Sequence, residues 1–334
     1  MTSPWVRIVI VTYNSGAYTQ SCINALARQT MSEFEAVIVD NYSSDGAIDE
    51  LVLPDGRFSI LQANENTGFA GGSNLGLQGA ETHYVMTVNP DTSLSKNCLK
   101  ELRSGAEAFP NAAMFSPVLF NSEATDKLDG AGDSLSIFGL PWRNGSEQAA
   151  DNCISNTENP FEVFSPTGAA ALYLRSDFEK EDGFDTQFFC YLEDVDLALR
   201  LRARGKKCWL IPKATGVHIG GHSSDTIPGF ALEQSVKNGL GMIIKSAPLL
   251  LSPIMLVSYI AAHMRFQYRN RGTQVSVIRK AGFKRGVMDL PKSFGDRLRR
   301  RPYPIGASLR VAKALSWSIK DVKTRPLRRL NSKR

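Results

Sequence analysis

Histidine and cysteine are scarce in this chain, and long hydrophobic runs are missing. The 334 residues hold four histidines, His83, His218, His222 and His263, so a histidine-based metal cluster has few candidates. Five cysteines without a repeating short spacing exclude a disulfide framework and a zinc knuckle, and suit free thiols in a reducing cytoplasm. No basic region followed by an apolar stretch and a small-residue cleavage site opens the chain, which argues against a secretory leader. A P-loop with its Gly-Lys-Ser/Thr is absent, as are a dinucleotide fingerprint after the first strand and any internal repeat. The most apolar window, Pro248 to Met264, is interrupted by Ser252, Pro253, Ser258, Tyr259 and His263. At roughly 17 residues it lies at the lower limit for spanning a bilayer, so a helix in the interface or packed on the body is favoured over a true span.

What is present is ordinary globular material with an uneven charge. Apolar content of 43% and charged content of 22% exclude global disorder. The net charge of +6 conceals an asymmetry. From Arg265 onward there are 21 Lys or Arg against Asp289, Asp296 and Asp321, leaving 18 basic and 30 acidic residues before that point. A split of this kind signals a polyanionic partner, membrane or nucleic acid. The aromatics interleaved with the basic residues, Phe266, Tyr268, Phe283, Phe294, Tyr303 and Trp317, favour an anionic membrane surface.

Periodicity gives an alternating order. Val6–Val11, Glu35–Val39, Phe58–Leu61 and Tyr84–Val88 read as strands, with helical patterns after the first and third. Strands alternating with helices predict a parallel, doubly wound α/β sheet whose ligand sits at the strands' C-terminal edge. Residues 115–166 are rich in Asn, Asp, Gly and Ser, with isolated Phe138 and Trp142, and read as acceptor-side loops. Gly168–Arg175 and Lys207–Pro212 restore strand character, the second ended by its proline.

Several residues at that edge carry candidate chemistry. Asp91, in Asn89-Pro90-Asp91-Thr92 after the fourth strand, would by itself be a helix N-cap. In company with Asp40, Asp194 and His218 it suits a divalent ion, Mg²⁺ or Mn²⁺, bridging diphosphate oxygens. Asn64 to Gly76 is a glycine loop entering a helix, where backbone N–H groups approach a phosphate or the glycines allow close helix packing. Glu193-Asp194-Val195-Asp196 opens an amphipathic helix after the aromatic loop at Phe188–Tyr191. Acids there complement the helix dipole. Arg200, at i+4, pairs with Asp196 and leaves Asp194 the freer carboxylate.

Together these pieces resemble glycosyltransferase family 2, and within it the bacterial rhamnosyltransferase-like group. The resemblance rests on Val11-Thr12-Tyr13-Asn14, Val39 to Gly46, Asn66 to Asn74, Asn89-Pro90-Asp91-Thr92, Gly183-Phe184-Asp185 with Phe188-Phe189, Glu193 to Asp196, and His218 with Ser223, all within roughly residues 5–225. It implies a GT-A fold, with a catalytic domain over 1–230 (nucleotide-sugar half about 1–115, acceptor half about 116–230) and a helical, apolar then basic region over 231–334. It also implies sugar transfer, with inversion, from a nucleotide-sugar donor, dTDP-L-rhamnose favoured, to a lipid-linked glycan acceptor. UDP-hexoses and UDP-galactofuranose are the alternatives within the fold. Thr12, Tyr13, Asn14, Asp40, Asn66, Gly68, Phe69, Asn74 and Asn89 would border the donor nucleotide. Asp91 would bind the metal with His218 as a second ligand, Asp194 would be the general base, and Glu193 the next candidate. Asn89 stands where the family often has a first aspartate, leaving one charged ligand in that motif. The expected location is the cytoplasmic face of the bacterial inner membrane, peripheral or monotopic. Nucleotidyltransfer would need a glycine- and arginine-rich triphosphate loop, which Val11 to Gly16 is not, and the basic tail alone supports a nucleic-acid partner less well than a membrane.

Overall fold

The structure is a computed structural model and describes residues 4–122, 126–150, 158–220 and 228–317. Its first half follows the sequence pattern. β1 (Val6–Thr12), α1 (Gly16–Ala27), β2 (Phe34–Asp40), β3 (Phe58–Gln62), α2 (Gly68–Leu77) and β4 (Tyr84–Val88) form a parallel run in the order β3-β2-β1-β4. Strand alternation divides the core between the two faces of the sheet. Val6, Ile8 and Ile10 pack with α1 on one side, and Val9 and Val11 face the other. A parallel strand buried on both faces reads as the continuous apolar run seen in the sequence. Gly76 lets α2 lie close to that sheet: a Cβ there would come within 2.7 Å of Val9 Cγ1.

The second half departs from expectation. After β5 (Thr92–Leu94) and α3 (Cys98–Ala108), the stretch read as loops contains β6 (Met114–Asn121), β7 (Leu128–Gly130), β8 (Asp133–Leu135), β9 (Pro141–Arg143) and β10 (Phe161–Val163). β6 is a buried strand of the main sheet, between β11 (Ala170–Leu174) and β12 (Cys208–His218). β12 does not stop at Pro212 but runs on to His218. Both misreadings have one cause. β12 pairs β6 through Cys208–Leu210 and again through Thr215–His218, and the register breaks between, where Pro212 and, on the partner strand, Pro117 lie. Proline without an N–H is accommodated at such an irregularity. β11 is antiparallel to both β4 and β6, so the sheet is mostly but not wholly parallel.

α4 (Arg175–Lys180) and α5 (Glu193–Ala203) precede β12, and among the described residues five helices follow it: α6 (Phe230–Ser246), α7 (Ser252–Arg269), α8 (Gln274–Met288), α9 (Leu290–Arg299) and α10 (Ala307–Ala314). Among the described residues no helix is long and apolar enough to cross a membrane. The basic segment folds back on the catalytic part rather than trailing from it. Arg297 donates to the carbonyls of Ile244 (2.6 Å) and Ala247 (2.9 Å), Arg300 to Asp185 (2.6 Å), and Arg310 to the Ala203 carbonyl (3.2 Å). Ser316 exchanges backbone hydrogen bonds with Leu135 and Ile137, both at 2.9 Å.

Candidate active site

A cavity of about 1440 Å³ lies at the C-terminal edge of β1 and β4, the edge that the parallel order singles out for a ligand. Tyr13, Asn66, Gly68, Phe69 and Asn89 line it, as do Asp91, Glu193, Asp194 and His218. Thr12, Asn14, Asp40 and Asn74 are not lining residues. Thr12 Oγ1 is hydrogen-bonded to Thr19 Oγ1 at 2.8 Å, Asn14 accepts from the Ser44 N–H at 2.8 Å, and Asp40 accepts from the Ser43 N–H at 3.0 Å. These three shape the turns after β1 and β2. Asn74 is turned toward Phe184, donating to its carbonyl at 2.7 Å and accepting from its N–H at 3.0 Å.

The glycine loop behaves differently from an open phosphate cradle. The Thr67 N–H is bound by Asn41 Oδ1 (3.1 Å), the Gly68 N–H by Asn66 Oδ1 (3.0 Å) and the Ala70 N–H by the Phe189 carbonyl (3.0 Å). Its amides are thus engaged within the chain. Gly68 has φ +71°, and a side chain there would collide with the Phe189 backbone. Close packing against the aromatic loop is the reason this position is glycine.

Asp91 sits in the turn between β4 and β5 and is not a helix cap. Its Oδ1 lies 3.2 Å from His218 Nε2, and its Oδ2 accepts from the Gly220 N–H at 3.1 Å. His218 Nδ1 is 3.0 Å from Asp129 Oδ2, and Asp129 is bound by Arg143 Nη1 at 2.8 Å. Burial opposes charge on His218, but hydrogen bonds to Asp129 and Asp91 outweigh it and raise its pKa to about 9. Burial also pushes Asp91 and Asp129 upward, yet both carboxyls are held below the usual range, chiefly by hydrogen bonding to His218. Among the described residues no group of three or more His, Cys, Asp or Glu converges as a metal cage. Asp91 and His218 are nonetheless a carboxylate oxygen and an imidazole nitrogen side by side on the cavity wall. A second carboxylate on the far ring nitrogen is the arrangement that fixes the tautomer of a ligating imidazole. These two side chains would hold a divalent ion, which would supply Lewis-acid stabilisation of negative charge there. Ser223 and His222 lie outside the described residues.

The same cavity is lined by the first two of the acids that open α5, Glu193 and Asp194. Asp194 is buried, its Oδ1 accepting from the Val195 N–H at 2.8 Å, and its Oδ2 would lie 2.7 Å from a Cβ added at Gly168. Burial raises its pKa, against backbone hydrogen bonds and the charge of Arg143. Glu193 is also buried, its Oε2 has no hydrogen-bond partner among the described residues, and burial together with Asp194 raises its pKa far above the ordinary value. Asp196 is shut away from the cavity: Arg200 Nε donates to it at 2.9 Å, and Ser246 and Arg300 close over its other oxygen. That is the i,i+4 pair expected of the sequence.

Two groups of residues escaped the sequence reading. Asp129, Asp133 and Arg143 stand on β7, β8 and β9 within the supposed loops, and all three line the cavity. Asp133 is buried, its Oδ1 lacks a hydrogen-bond partner among the described residues, and burial with the nearby charge of Asp194 drives its pKa well up. The run Leu128-Asp129-Gly130-Ala131-Gly132-Asp133, with acids flanking two glycines, was the available signal. The other is Asn238 on α6, whose Nδ2 donates to the carbonyls of Phe188 (2.9 Å), Cys190 (2.9 Å) and Tyr191 (2.7 Å). It pins a loop in which Phe189, Tyr191 and Leu192 all have positive φ, immediately before Glu193 and Asp194. Strain of this kind persists where surrounding contacts over-determine the backbone.

A mostly parallel sheet with its cavity at the strand ends, an antiparallel strand inserted beside β4, and acids lining that cavity are the architecture of a GT-A fold. Solved structures agree on the fold. Staphylococcus aureus TarS 1–349 in complex with UDP-GlcNAc superposes with a TM-score of 0.57 at 16% identity, over 94% of this chain and 93% of that one. GalNAc-T7 with UDP, GalNAc and Mn²⁺ gives 0.60 at 14% identity, over 91% of this chain and 59% of that one. The glycosyl transferase family 2 model matches residues 7–180, more than half of the sequence, and the chain belongs to that family. Among curated proteins it is 26% identical over 247 residues to the N-acetylglucosaminyl-diphospho-decaprenol L-rhamnosyltransferase of Mycobacterium tuberculosis, covering 66% of this chain and 78% of that protein. It is 27% identical over 103 residues to glycosyltransferase GlyG of Streptococcus pneumoniae, covering 30% and 34%.

Proposed function

We propose that this glycosyltransferase moves L-rhamnose from dTDP-L-rhamnose, with inversion, onto a lipid-linked acceptor in bacterial cell-surface glycan assembly. The observation that carries the reading is that one cavity joins the Asp91–His218 pair to buried Asp194. Its donor and acceptor are suggested by the mycobacterial relative, whose name specifies both an L-rhamnosyl group and a diphospho-decaprenol acceptor. A UDP-hexose or UDP-galactofuranose donor is the alternative, because no residue on the cavity wall names the sugar hydroxyls.

As the acceptor hydroxyl attacks the anomeric carbon, negative charge builds on the departing nucleoside diphosphate. A divalent ion, Mg²⁺ or Mn²⁺, held by Asp91 and His218 would supply Lewis-acid stabilisation of that charge. Asp194 takes the hydroxyl proton. Burial raises its pKa and so makes it a stronger base than an exposed aspartate, and general-base catalysis by a positioned side chain contributes roughly 10²- to 10⁴-fold in rate. Tyr13, Asn66, Phe69 and Asn89 border the nucleotide and exclude water from it. Arg143, facing Asp129, Asp133 and Asp194, keeps the acid-rich wall from becoming uniformly negative.

The membrane reading rests on α7. Ile254, Val257, Met264 and Tyr268 form one exposed apolar stripe at helical spacing, while Met255, Tyr259 and His263 on another face are buried. Exposed Leu249 and Leu250 extend the stripe, and Arg265 and Arg269 flank it. An apolar face beside cationic residues suits the interface of an anionic bilayer, in agreement with peripheral attachment at the cytoplasmic face.

The test is release of nucleoside diphosphate from dTDP-, UDP- and GDP-sugars with membrane lipid extract as acceptor, with Mg²⁺, Mn²⁺ or EDTA. Acceptor-dependent, EDTA-sensitive release from dTDP-rhamnose is expected. Asp194→Asn should lose at least 10²-fold in kcat with donor affinity nearly unchanged. Substantial turnover by that variant removes Asp194 as the base.

A further inference from the structure

Among the described residues, Arg279 on α8 has no carboxylate as a partner. It lines the cavity at the part walled by α7 and α8, in company with Tyr259 and Phe266. Its guanidinium lies over the Phe266 ring, 4.1 Å from the centroid. Among the described residues its buried Nε has no hydrogen-bond partner and no carboxylate pairs with it. Burial lowers its pKa, and the Tyr259 phenol is the ionisable group that opposes the shift. An unpaired cation kept partly out of water costs free energy unless something anionic is bound there. Other arginines of the helical segment make the contrast plain: Arg285 on the same helix pairs with Glu233 at 2.8 Å, and Arg300 pairs with Asp185 at 2.6 Å.

The position narrows the anion. The diphosphate of the donor belongs with Asp91 and His218, on β4 and β12. Arg279 belongs to the helical segment, whose neighbouring helix α7 lines the cavity through Tyr259, Ala262 and Phe266 and carries the apolar stripe proposed to face lipid on its exposed side. An acceptor whose sugar enters the cavity and whose lipid stays in the bilayer must carry its linking phosphate past this helix. A planar guanidinium backed by an aromatic ring is well suited to two phosphate oxygens.

We propose that Arg279 binds the phosphate through which a lipid is joined to the acceptor sugar. The site takes an isoprenoid-type phosphate or diphosphate, with Phe266 and Tyr259 against the first carbons of the lipid. This rests on the transferase reading above and specifies how its acceptor is recognised.

Isothermal titration of the full chain with farnesyl diphosphate, inorganic pyrophosphate and farnesol tests it, using wild type, Arg279→Gln and Arg279→Lys. Arg279→Gln should weaken farnesyl diphosphate binding at least tenfold, Arg279→Lys should recover most of the loss, and dTDP or UDP binding should be unchanged in both. Unaltered farnesyl diphosphate affinity in Arg279→Gln overturns the proposal, as does a Lys variant as weak as the Gln variant, which would mark a packing role. Pyrophosphate bound as tightly as farnesyl diphosphate would make the site one for a soluble anion, and farnesol bound as tightly would make it purely apolar; either result also overturns it. Turnover separates this inference from the reading beneath it. Arg279-dependent binding with no release from any sugar nucleotide sinks the transferase proposal and leaves the phosphate site standing. Normal turnover without Arg279 dependence does the reverse.

Discussion

Asn238 on α6 tests whether Asp194, the proposed base on α5, is positioned by a residue of another helix. It is 3% exposed, and its amide group is shared among three carbonyls of the aromatic loop. Asn238→Ala leaves those carbonyls without that donor. A net hydrogen bond contributes about 0.5–1.5 kcal/mol, and an unsatisfied buried acceptor costs about 1–3 kcal/mol. The loop also stores strain, because Phe189, Tyr191 and Leu192 have φ of 62°, 69° and 71°. Such conformations cost on the order of 1–3 kcal/mol each and relax once their restraints are removed. A loss of about 2–4 kcal/mol in urea unfolding follows, with relaxation at the entry to α5.

Relaxation there moves Asp194, two residues from Leu192. A displacement of about 1 Å in a catalytic group costs on the order of 10²-fold. kcat should therefore fall by about that factor, measured at a temperature where the variant is fully folded. A purely structural role would end there, so the pH profile is decisive. The Asp194 pKa is raised by burial, and a loosened loop admits water. The acidic limb of the kcat profile should then move to lower pH. A variant with weakened stability but wild-type kcat and an unmoved acidic limb refutes the argument that Asn238 positions the base.

Two further outcomes follow from the site geometry. Gly168→Ala places a Cβ 2.7 Å from Asp194 Oδ2 at a residue without a positive φ, so it should lower kcat by about 10- to 100-fold while the melting temperature changes by only a few degrees; a wild-type kcat would show that the carboxylate need not sit against residue 168. For His218, a folded pKa of about 9 against an ordinary 6.5 means that its stabilising contribution is complete below pH 6.5 and is lost as pH rises through 9. Thermal melts in EDTA should fall across that window in wild type and remain flatter in His218→Gln. Equal pH dependence in the two proteins would remove the ion pairs as its cause.

The legible parts of the sequence were those where one local rule decides. β1, β2 and β4 are buried on both faces or nearly so, and announce themselves as apolar runs. Asp196 and Arg200 are four apart on a helix and meet at 2.9 Å as that spacing requires. The glycine loop was ambiguous between phosphate binding and close packing, and the Phe189 carbonyl engages its Ala70 N–H from the far end of the domain. No local rule reports such a contact. Asp129, Asp133 and Arg143 were hidden for a different reason. They lie on strands of three residues, too short to show a period, and they come together because β8 pairs β9 while β7 pairs β6. Asn238 reads as one polar residue on an amphipathic helix until the loop beneath it is seen.

The basic surplus from Arg265 onward reads in the sequence as one electrostatic feature, but part of it is internal. Arg297, Arg300 and Arg310 are turned inward, and Arg204 of the catalytic part answers by donating to the Arg301 carbonyl at 2.9 Å. Removing everything beyond Arg265 would therefore strip the clasp over Asp185 and Asp196 as well as any membrane contact, and loss of membrane binding by that truncation would not distinguish the two. Val257→Asp with Met264→Asp is the cleaner perturbation. Both side chains are exposed, 68% and 62%, so the folded state loses little. Each substitution replaces an apolar group worth roughly 1.5–3 kcal/mol on full burial with a charge of the sign that anionic lipid repels. Partition onto anionic liposomes should drop by at least 10²-fold with an unchanged melting temperature. Retention equal to wild type would mean that α7 does not face the bilayer, and would return the whole of the membrane argument to the basic residues.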